Sequence, residues 1–170
     1  MLWHARLSAD SNPWSGGIWY GMVWQNHRLI VPTVSFPPIS SPAAAGESLD
    51  KIFLSARVNG LNAFDPLTGK PLWHAPFPAS CTQGTCQSIN MAPLGVPDII
   101  FAAAVDGVMR AYDDRNGKTL WSFDTAREFV ARNGDVGKGG TIAGAGAVAA
   151  ARAHLYVLST NVLLAFSPDD

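Results

Sequence analysis

Residues 68–73 read "TGKPLW" and residues 116–121 read "NGKTLW", two near-copies 48 positions apart. The match extends without a gap over "LNAFDPLTGKPLW" (61–73) and "MRAYDDRNGKTLW" (109–121). Ala63/Ala111, Asp65/Asp113, Gly69/Gly117, Lys70/Lys118, Leu72/Leu120 and Trp73/Trp121 are identical, and Phe64 stands against Tyr112. Upstream, "IFLSARVNG" (52–60) answers "IFAAAVDG" (100–107). Self-similarity with a period in the forties is the mark of a repeat architecture.

Each unit reads as antiparallel β-structure. "KIFLSARV" and "IIFAAAV" are short and apolar and end at Asn59-Gly60 and Asp106-Gly107, both hairpin signals. "LNAFD" and "MRAYD" alternate and end in an aspartate that can accept backbone N–H bonds, while Gly69 and Gly117 supply a positive φ at low cost. "KPLWHA" and "KTLWSF" return, and a preceding strand such as "SINMAPL" makes four strands per unit, the blade of a β-propeller. The pattern predicts strands near 28–34, 52–58, 61–65, 71–75, 99–105, 108–112, 119–123, 154–159 and 162–166. One helical turn is predicted at 126–131, where "AREFVA" breaks the alternation.

The ends carry pieces of the same unit. "LWHA" occurs at 2–5 and again at 72–75, which places residues 2–5 in the last strand of a blade. "LYVLSTNVLLAF" (155–166) resembles "IFAAAVDGVMRAY" without a following turn and tryptophan. Trp3 and Trp73 are 70 residues apart, and the excess over one period falls largely in "FPPISSPAAAGESLD" (36–50). The expectation is one incomplete all-β propeller domain over 1–170, with blade segments about 1–75, 76–123 and 124–170. About three blades are too few to close a ring, so missing blades or another chain must cover the open edges.

Composition narrows the function. Hydrophobic residues make up 48% of the chain, enough for a sizeable core, and a net charge of −1 gives no nucleic-acid footprint. No apolar run is long enough to span a membrane, and "MLWHARLSAD" lacks the basic and apolar regions of a signal peptide. Cys81 and Cys86 form a C-x4-C pair that can close a disulfide in an oxidising compartment. Haem attachment through C-x-x-C-H is absent, and the four histidines show no zinc spacing.

The A-x-D-x-x-T/N-G-K-x-x-W units resemble the repeats of pyrroloquinoline quinone (PQQ) dehydrogenases, whose members form eight-bladed propellers. "GGIWYGMVW" (16–24), "FAAAVDGVMRAYDDRNGKTLWSFDTAREF" (101–129) and "NGDVGKGGTIAGAG" followed by "LYVLSTNVLLAF" (133–166) narrow the resemblance to polyvinyl-alcohol-dehydrogenase-like quinoproteins. It implies a periplasmic protein of which this chain is the last third or so, with PQQ and calcium in the complete protein. The implied reaction oxidises a small or polymeric alcohol, with electrons passed to the quinone and then to a cytochrome.

In such repeats the glycine and tryptophan are structural. Gly69, Gly117, Trp73 and Trp121 are therefore expected to dock blades, each indole packing on its neighbour and its N–H finding a carbonyl. Burying a side chain of this size contributes about 1.5–3 kcal/mol or more, without any ligand.

The cofactor pocket needs an aromatic floor and cationic or N–H donors for the quinone carboxylates. By resemblance, Tyr20 in Gly16-Gly17-Ile18-Trp19-Tyr20-Gly21 occupies the stacking position, and Trp19 stands where relatives carry an acid. Lys138, with Gly139 and Gly140, forms the K-G-G segment that lies beside the cofactor in such proteins, and Asn133 is a further candidate ligand. Ser35 stands where relatives offer Asn or Asp. No catalytic base or metal ligand is identified, because Asp65, Asp106 and Asp113 are accounted for by turns. Two readings stand: part of a PQQ-dependent alcohol dehydrogenase, inactive by itself, or a non-catalytic propeller scaffold or binding module.

Overall fold

The computed structural model describes residues 1–5, 16–18, 20–35, 60–77, 81–82, 85–86 and 91–168. Among these there is no helix, and the sixteen strands are short and antiparallel. They are β1 (Gly16–Gly17), β2 (Val23–Gln25), β3 (Arg28–Ser35), β4 (Gly60–Phe64), β5 (Pro71–Pro76), β6 (Cys81–Thr82), β7 (Thr85–Cys86) and β8 (Leu94–Val96). Then follow β9 (Ile99–Ala103), β10 (Val108–Asp113), β11 (Thr119–Asp124), β12 (Glu128–Val130), β13 (Val136–Lys138), β14 (Val148–Ala151), β15 (His154–Ser159) and β16 (Val162–Phe166).

Three sheets recur with one grammar. The first runs β1-β3-β4-β5 with β2 also paired to β3, the second β8-β9-β10-β11, and the third β14-β15-β16. Two-residue turns open each hairpin: Asn26 and His27 lie at φ 47° and 59°, Arg152 and Ala153 at φ 50° and 63°. These left-handed pairs match the twist of the strands they join. At 97–98, Pro97 presets the first turn position and Asp98 takes φ 65°. The innermost strands β2, β8 and β14 adjoin in succession, β2 against β8 and β8 against β14, so the sheets fan out from one side as propeller blades do.

The repeated turns explain their own sequence. Asp65 Oδ1 accepts the N–H groups of Leu67 (2.8 Å) and Thr68 (2.9 Å), and Asp113 Oδ1 accepts that of Arg115 (2.9 Å). Gly69 and Gly117 sit at φ 72° and 71° and donate to Asp65 O and Asp113 O, each at 2.8 Å. Trp3 lies over Gly69 and Trp73 over Gly117, so closely that a Cβ on either glycine would strike the indole. Trp3 Nε1 donates to Pro66 O at 2.9 Å and Trp73 Nε1 to Asp114 O at 2.8 Å. Trp121 instead stacks on Phe123 and meets Phe166 edge-on, with ring centroids 5.4 Å apart in the latter pair.

Behind the turns a continuous core joins the sheets, with Ile30, Leu61, Met91, Ile100, Met109, Ile142 and Val157 excluded from solvent. Fully buried Ala63, Ala102, Ala103 and Ala104 allow close approach of one sheet to the next. β4 is buried on both faces, whereas β15 alternates strictly between exposed and buried residues.

Three expectations change. The neighbour of β4 is β3, with Leu29 opposite Phe64 and Thr33 opposite Gly60, and not the segment 52–58, which lies outside the described residues. Residues 36–59 thus separate β3 from β4 where residues 104–107 separate β9 from β10. Pro32 inside β3 is compatible with this place. The closing pair Gln25/Arg28 directs the even-numbered N–H groups of β3 toward β2 and β1, and position 32 falls between the residues those strands pair. The innermost strand of the second sheet is Leu94–Val96, short of the expected "SINMAPL", of which 88–90 lie outside the described residues. Finally, 126–131 is not a helical turn: Glu128–Val130 pairs with Val136–Lys138. The Asn133-Gly134 dipeptide makes that hairpin, with Gly134 at φ 88°.

Candidate functional site

Antiparallel strands decide which loops share an end of the molecule. In each sheet the first hairpin turn (26–27, 97–98, 152–153) lies at the same end as the Asp-Gly turns (65–70, 113–118). The second hairpin (104–107, 160–161) and every connection between sheets lie at the opposite end. Tyr20, the β6–β7 hairpin, Asn133 and Lys138 therefore all belong to this connection end.

Tyr20 is half-buried in a bend just before β2. A Cβ on Gly21 would lie 4.0 Å from Ala92 Cβ, and Met91 forms a parallel bridge with Gly144. The segments leading into β2, β8 and β14 thus lie side by side at the connection end, near the inner edge of the sheets. Trp19 lies outside the described residues.

The K-G-G segment is fixed from beneath. Lys138 N donates to Asn161 Oδ1 (2.8 Å), Gly139 N to Arg127 O (2.9 Å) and Gly140 N to Ser159 Oγ (2.8 Å). A Cβ on Gly139 would overlap Thr125 O, and one on Gly137 would overlap Val162 Cγ1. Gly139 thus admits the backbone of Thr125 and Gly140 the Thr160 hydroxyl, and the N–H groups of both are already committed. Under them, Thr125 Oγ1 lies 2.6 Å from Gly107 O, 3.1 Å from Gly140 O and 2.7 Å from Ser159 Oγ. Thr125 and Ser159 are both fully buried. The Lys138 side chain is exposed on this fixed base.

Asn133 serves the hairpin turn. Its Nδ2 donates to Asp135 Oδ2 at 2.6 Å and its Oδ1 accepts from Asp135 N at 3.2 Å. Cys81 and Cys86 stand opposite each other in the β6–β7 ladder; their side chains lie outside the described set.

Sequence reasoning missed Thr125, Ser159 and Asn161, which pin the K-G-G segment. The signal available was weak: a hydroxyl directly after the strand "TLWSFD" and a polar "STN" hairpin. It also missed a polar chain in the first sheet. Thr33 Oγ1 lies 3.4 Å from Gly60 O, Asn62 Nδ2 donates to Thr33 Oγ1 at 2.9 Å, and Asn62 Oδ1 faces His74 Nδ1 at 2.8 Å. That order leaves Nδ1 of His74 as the donor. Burial is the main cause that lowers the imidazole pKa, which favours the neutral ring.

The turn end has different features. Asp114, fully buried, accepts from Asn26 Nδ2 (2.7 Å) and Gln25 Nε2 (3.2 Å), with Arg28 NH1 at 3.8 Å. These contacts tie the first sheet to the second. Between the second and third sheets the same end opens into a cleft of about 560 Å³ lined by Val96, Phe101, Trp121, Arg152, Leu155 and Phe166. The cleft contains neither Tyr20 nor Lys138.

The fold and the indole-on-glycine docking define a β-propeller of tryptophan-docked repeats. The chain belongs to the PQQ_2 family, whose model, described as "Outer membrane protein assembly factor BamB", matches residues 2–170. It is 28% identical over 191 aligned residues to a polyvinylalcohol dehydrogenase of Pseudomonas sp., covering 99% of this chain and 27% of that protein. It is 31% identical to a polyvinylalcohol dehydrogenase of Sphingopyxis sp. (strain 113P3) over 155 residues, 85% of this chain and 21% of that one. The chain therefore spans about a quarter of the length of the relatives it matches. Among solved structures, BamB from Moraxella catarrhalis aligns with TM-score 0.43 at 17% identity, covering 87% of this chain and 46% of that one. The computationally designed Ika4 protein aligns with TM-score 0.49 at 11% identity, covering 86% and 63%.

A quinone and its metal ion would need a stacking ring, a cation and several oxygen ligands at one place. Tyr20 and Lys138 share the connection end, but among the described residues no three His, Cys, Asp or Glu side chains converge to hold a metal. The described residues thus offer a ring and a cation at that end, without a set of metal ligands among them.

Proposed function

We propose that this chain forms the C-terminal blades of a PQQ-dependent alcohol dehydrogenase of the polyvinyl alcohol dehydrogenase type, and that it acts in the periplasm only together with further blades. The carrying observation is similarity to two polyvinylalcohol dehydrogenases along 99% and 85% of the chain, combined with an exposed lysine on a rigid, buried hydroxyl base. In this reading Tyr20 stacks on the quinone and the Lys138 ammonium neutralises a quinone oxygen or carboxylate. Gly139 and Gly140 set the height of Lys138, and Asn133 holds the hairpin that presents it.

The test uses a longer protein that contains this segment and binds PQQ. Lys138→Ala weakens PQQ binding by about 1.5–3 kcal/mol, the loss expected for a charge-assisted hydrogen bond. Lys70→Ala, in a solvated turn, leaves binding unchanged. Equal affinities of the two variants by equilibrium titration would remove Lys138 from the site.

A second reading is favoured by the description of the matching family, an assembly factor. The chain is then a propeller scaffold or binding module whose connection end recognises another protein. Unaltered PQQ affinity in both Lys138→Ala and Tyr20→Ala proteins would favour it.

A further inference from the structure

The link between the first and second sheets contains a small hairpin, β6–β7, in which Cys81 pairs with Cys86 and Thr82 with Thr85. Each strand has two residues, and among the described residues this ladder pairs with no other strand. A two-stranded ribbon by itself is marginal in water. Backbone pairing alone therefore does not hold it.

The link between the second and third sheets shows what can. Its hairpin, β12–β13, has three residues per strand and is tied down at its base. Gly139 N donates to Arg127 O, and Lys138 N donates to Asn161 Oδ1. Phe129 packs beside Gly139 and takes the Arg127 guanidinium over its ring, 5.2 Å from the centroid. Phe129 follows Trp121 by eight residues, and Cys81 follows Trp73 by the same eight. Cys81 thus stands where the other link has its aromatic anchor.

The register decides what the two cysteines can do there. The closing pair of a two-residue hairpin is hydrogen-bonded, and the pairs alternate in type from that point. Thr82 and Thr85 close this hairpin, so Cys81/Cys86 is a non-hydrogen-bonded pair. The Cα atoms of such a pair stand about 4.5 Å apart, within the span of roughly 4.4–6.8 Å that a disulfide bridges. Side chains are also closer at such a pair than at a hydrogen-bonded one.

We propose that Cys81 and Cys86 form a cross-strand disulfide that staples the β6–β7 hairpin and with it the link between the first two sheets. The bond forms by exchange with an external disulfide. One cysteine thiolate attacks a sulfur of that disulfide and expels one thiolate; the other cysteine thiolate then attacks the mixed disulfide and expels the second. The two protein thiols are oxidised and give up their protons, and the external disulfide is reduced to two thiols. The staple involves neither Tyr20 nor Lys138 and is independent of the quinone reading.

The test equilibrates the purified 170-residue chain with mixtures of reduced and oxidised glutathione, quenches with acid, alkylates free thiols and maps the peptides by mass spectrometry. The oxidised product is a monomer two hydrogens lighter, with the difference confined to the peptide that carries both cysteines and no label on either. A C-x4-C pair can also close in a flexible chain, so the same titration is run in urea. The folded chain keeps its bond in a glutathione mixture at least about tenfold more reducing than the unfolded chain tolerates, a shift of about 30 mV for this two-electron couple. Reduction, or the double variant Cys81→Ala with Cys86→Ala, speeds hydrogen exchange at the Thr82 and Thr85 amides and leaves the Gly117 amide protected. Equal midpoints in the folded and unfolded chains, free thiols in the folded chain where the unfolded one is oxidised, or a disulfide-linked dimer overturns the proposal. So does exchange at Thr82 and Thr85 that is indifferent to reduction.

Discussion

At the scale of single residues, the repeated motif is a docking device in which each letter has a mechanical cause. The aspartate caps its turn, the glycine gives a left-handed φ and clears space, and the indole fills that space and donates to a turn carbonyl. Asp113 shows the electrostatic side. The Arg115 guanidinium, 2.7 Å away, and then the Arg115 backbone N–H hold its carboxyl down at about 2. An unfolded aspartate titrates near about 3.9. Because the folded value is depressed, the stabilisation is complete above the unfolded value and is lost as pH falls through about 2. Asp113→Asn keeps a turn-forming side chain but does not titrate. Its urea midpoint therefore changes less between about pH 4 and pH 2 than that of the wild type; parallel curves would contradict this account.

Among elements, the informative unit is the β12–β13 hairpin and its support. The K-G-G segment starts at the last residue of β13, and its position depends on Thr125, directly after β11, and on Ser159 at the end of β15. Thr125→Val removes a buried hydroxyl, while Gly107 O keeps the Thr125 N–H and Gly140 O keeps the Ser159 hydroxyl. Loss of such a hydrogen bond costs about 0.5–1.5 kcal/mol. Hydrogen exchange at the Gly139 and Gly140 amides accelerates in this variant, while the Gly117 amide, fixed by its own turn, keeps its protection. Uniform acceleration of all three amides would show that Thr125 acts on the whole fold and not on this segment.

For the whole molecule, the three sheets fan out with apolar residues exposed on the outer faces of the first and last, and Tyr20 and Lys138 both belong to the connection end. Alcohol oxidation needs a base, a polarised quinone and a closed pocket held in mutual register. We expect the 170-residue chain, supplied with PQQ and Ca²⁺, to reduce no redox dye with alcohol as donor. PQQ-dependent dye reduction by this chain alone would overturn that expectation.

Much of this was legible from the sequence because the repeat writes local physics. Asp65, Gly69 and Trp73 and their partners at 113, 117 and 121 announce a turn, a left-handed residue and a docking ring, all decided within a few positions. Strand existence was legible for the same reason, since alternation and hairpin dipeptides are short-range signals. Pairing across distance was not. "IFLSARV" and "RLIVPTVS" are both plausible neighbours for β4, and only the three-dimensional arrangement selects Arg28–Ser35, by placing Pro32 where no ladder bond is missing. The Asn133-Gly134 turn was present in the sequence, yet its competitor, a helical turn at 126–131, was excluded only by pairing with Val136–Lys138. The K-G-G glycines show the same division: sequence marks backbone that something approaches closely, and tertiary structure identifies the neighbours as Thr125 for Gly139 and Thr160 for Gly140. Short-range backbone chemistry is encoded residue by residue, whereas partners far along the chain are settled by which apolar faces can be buried together.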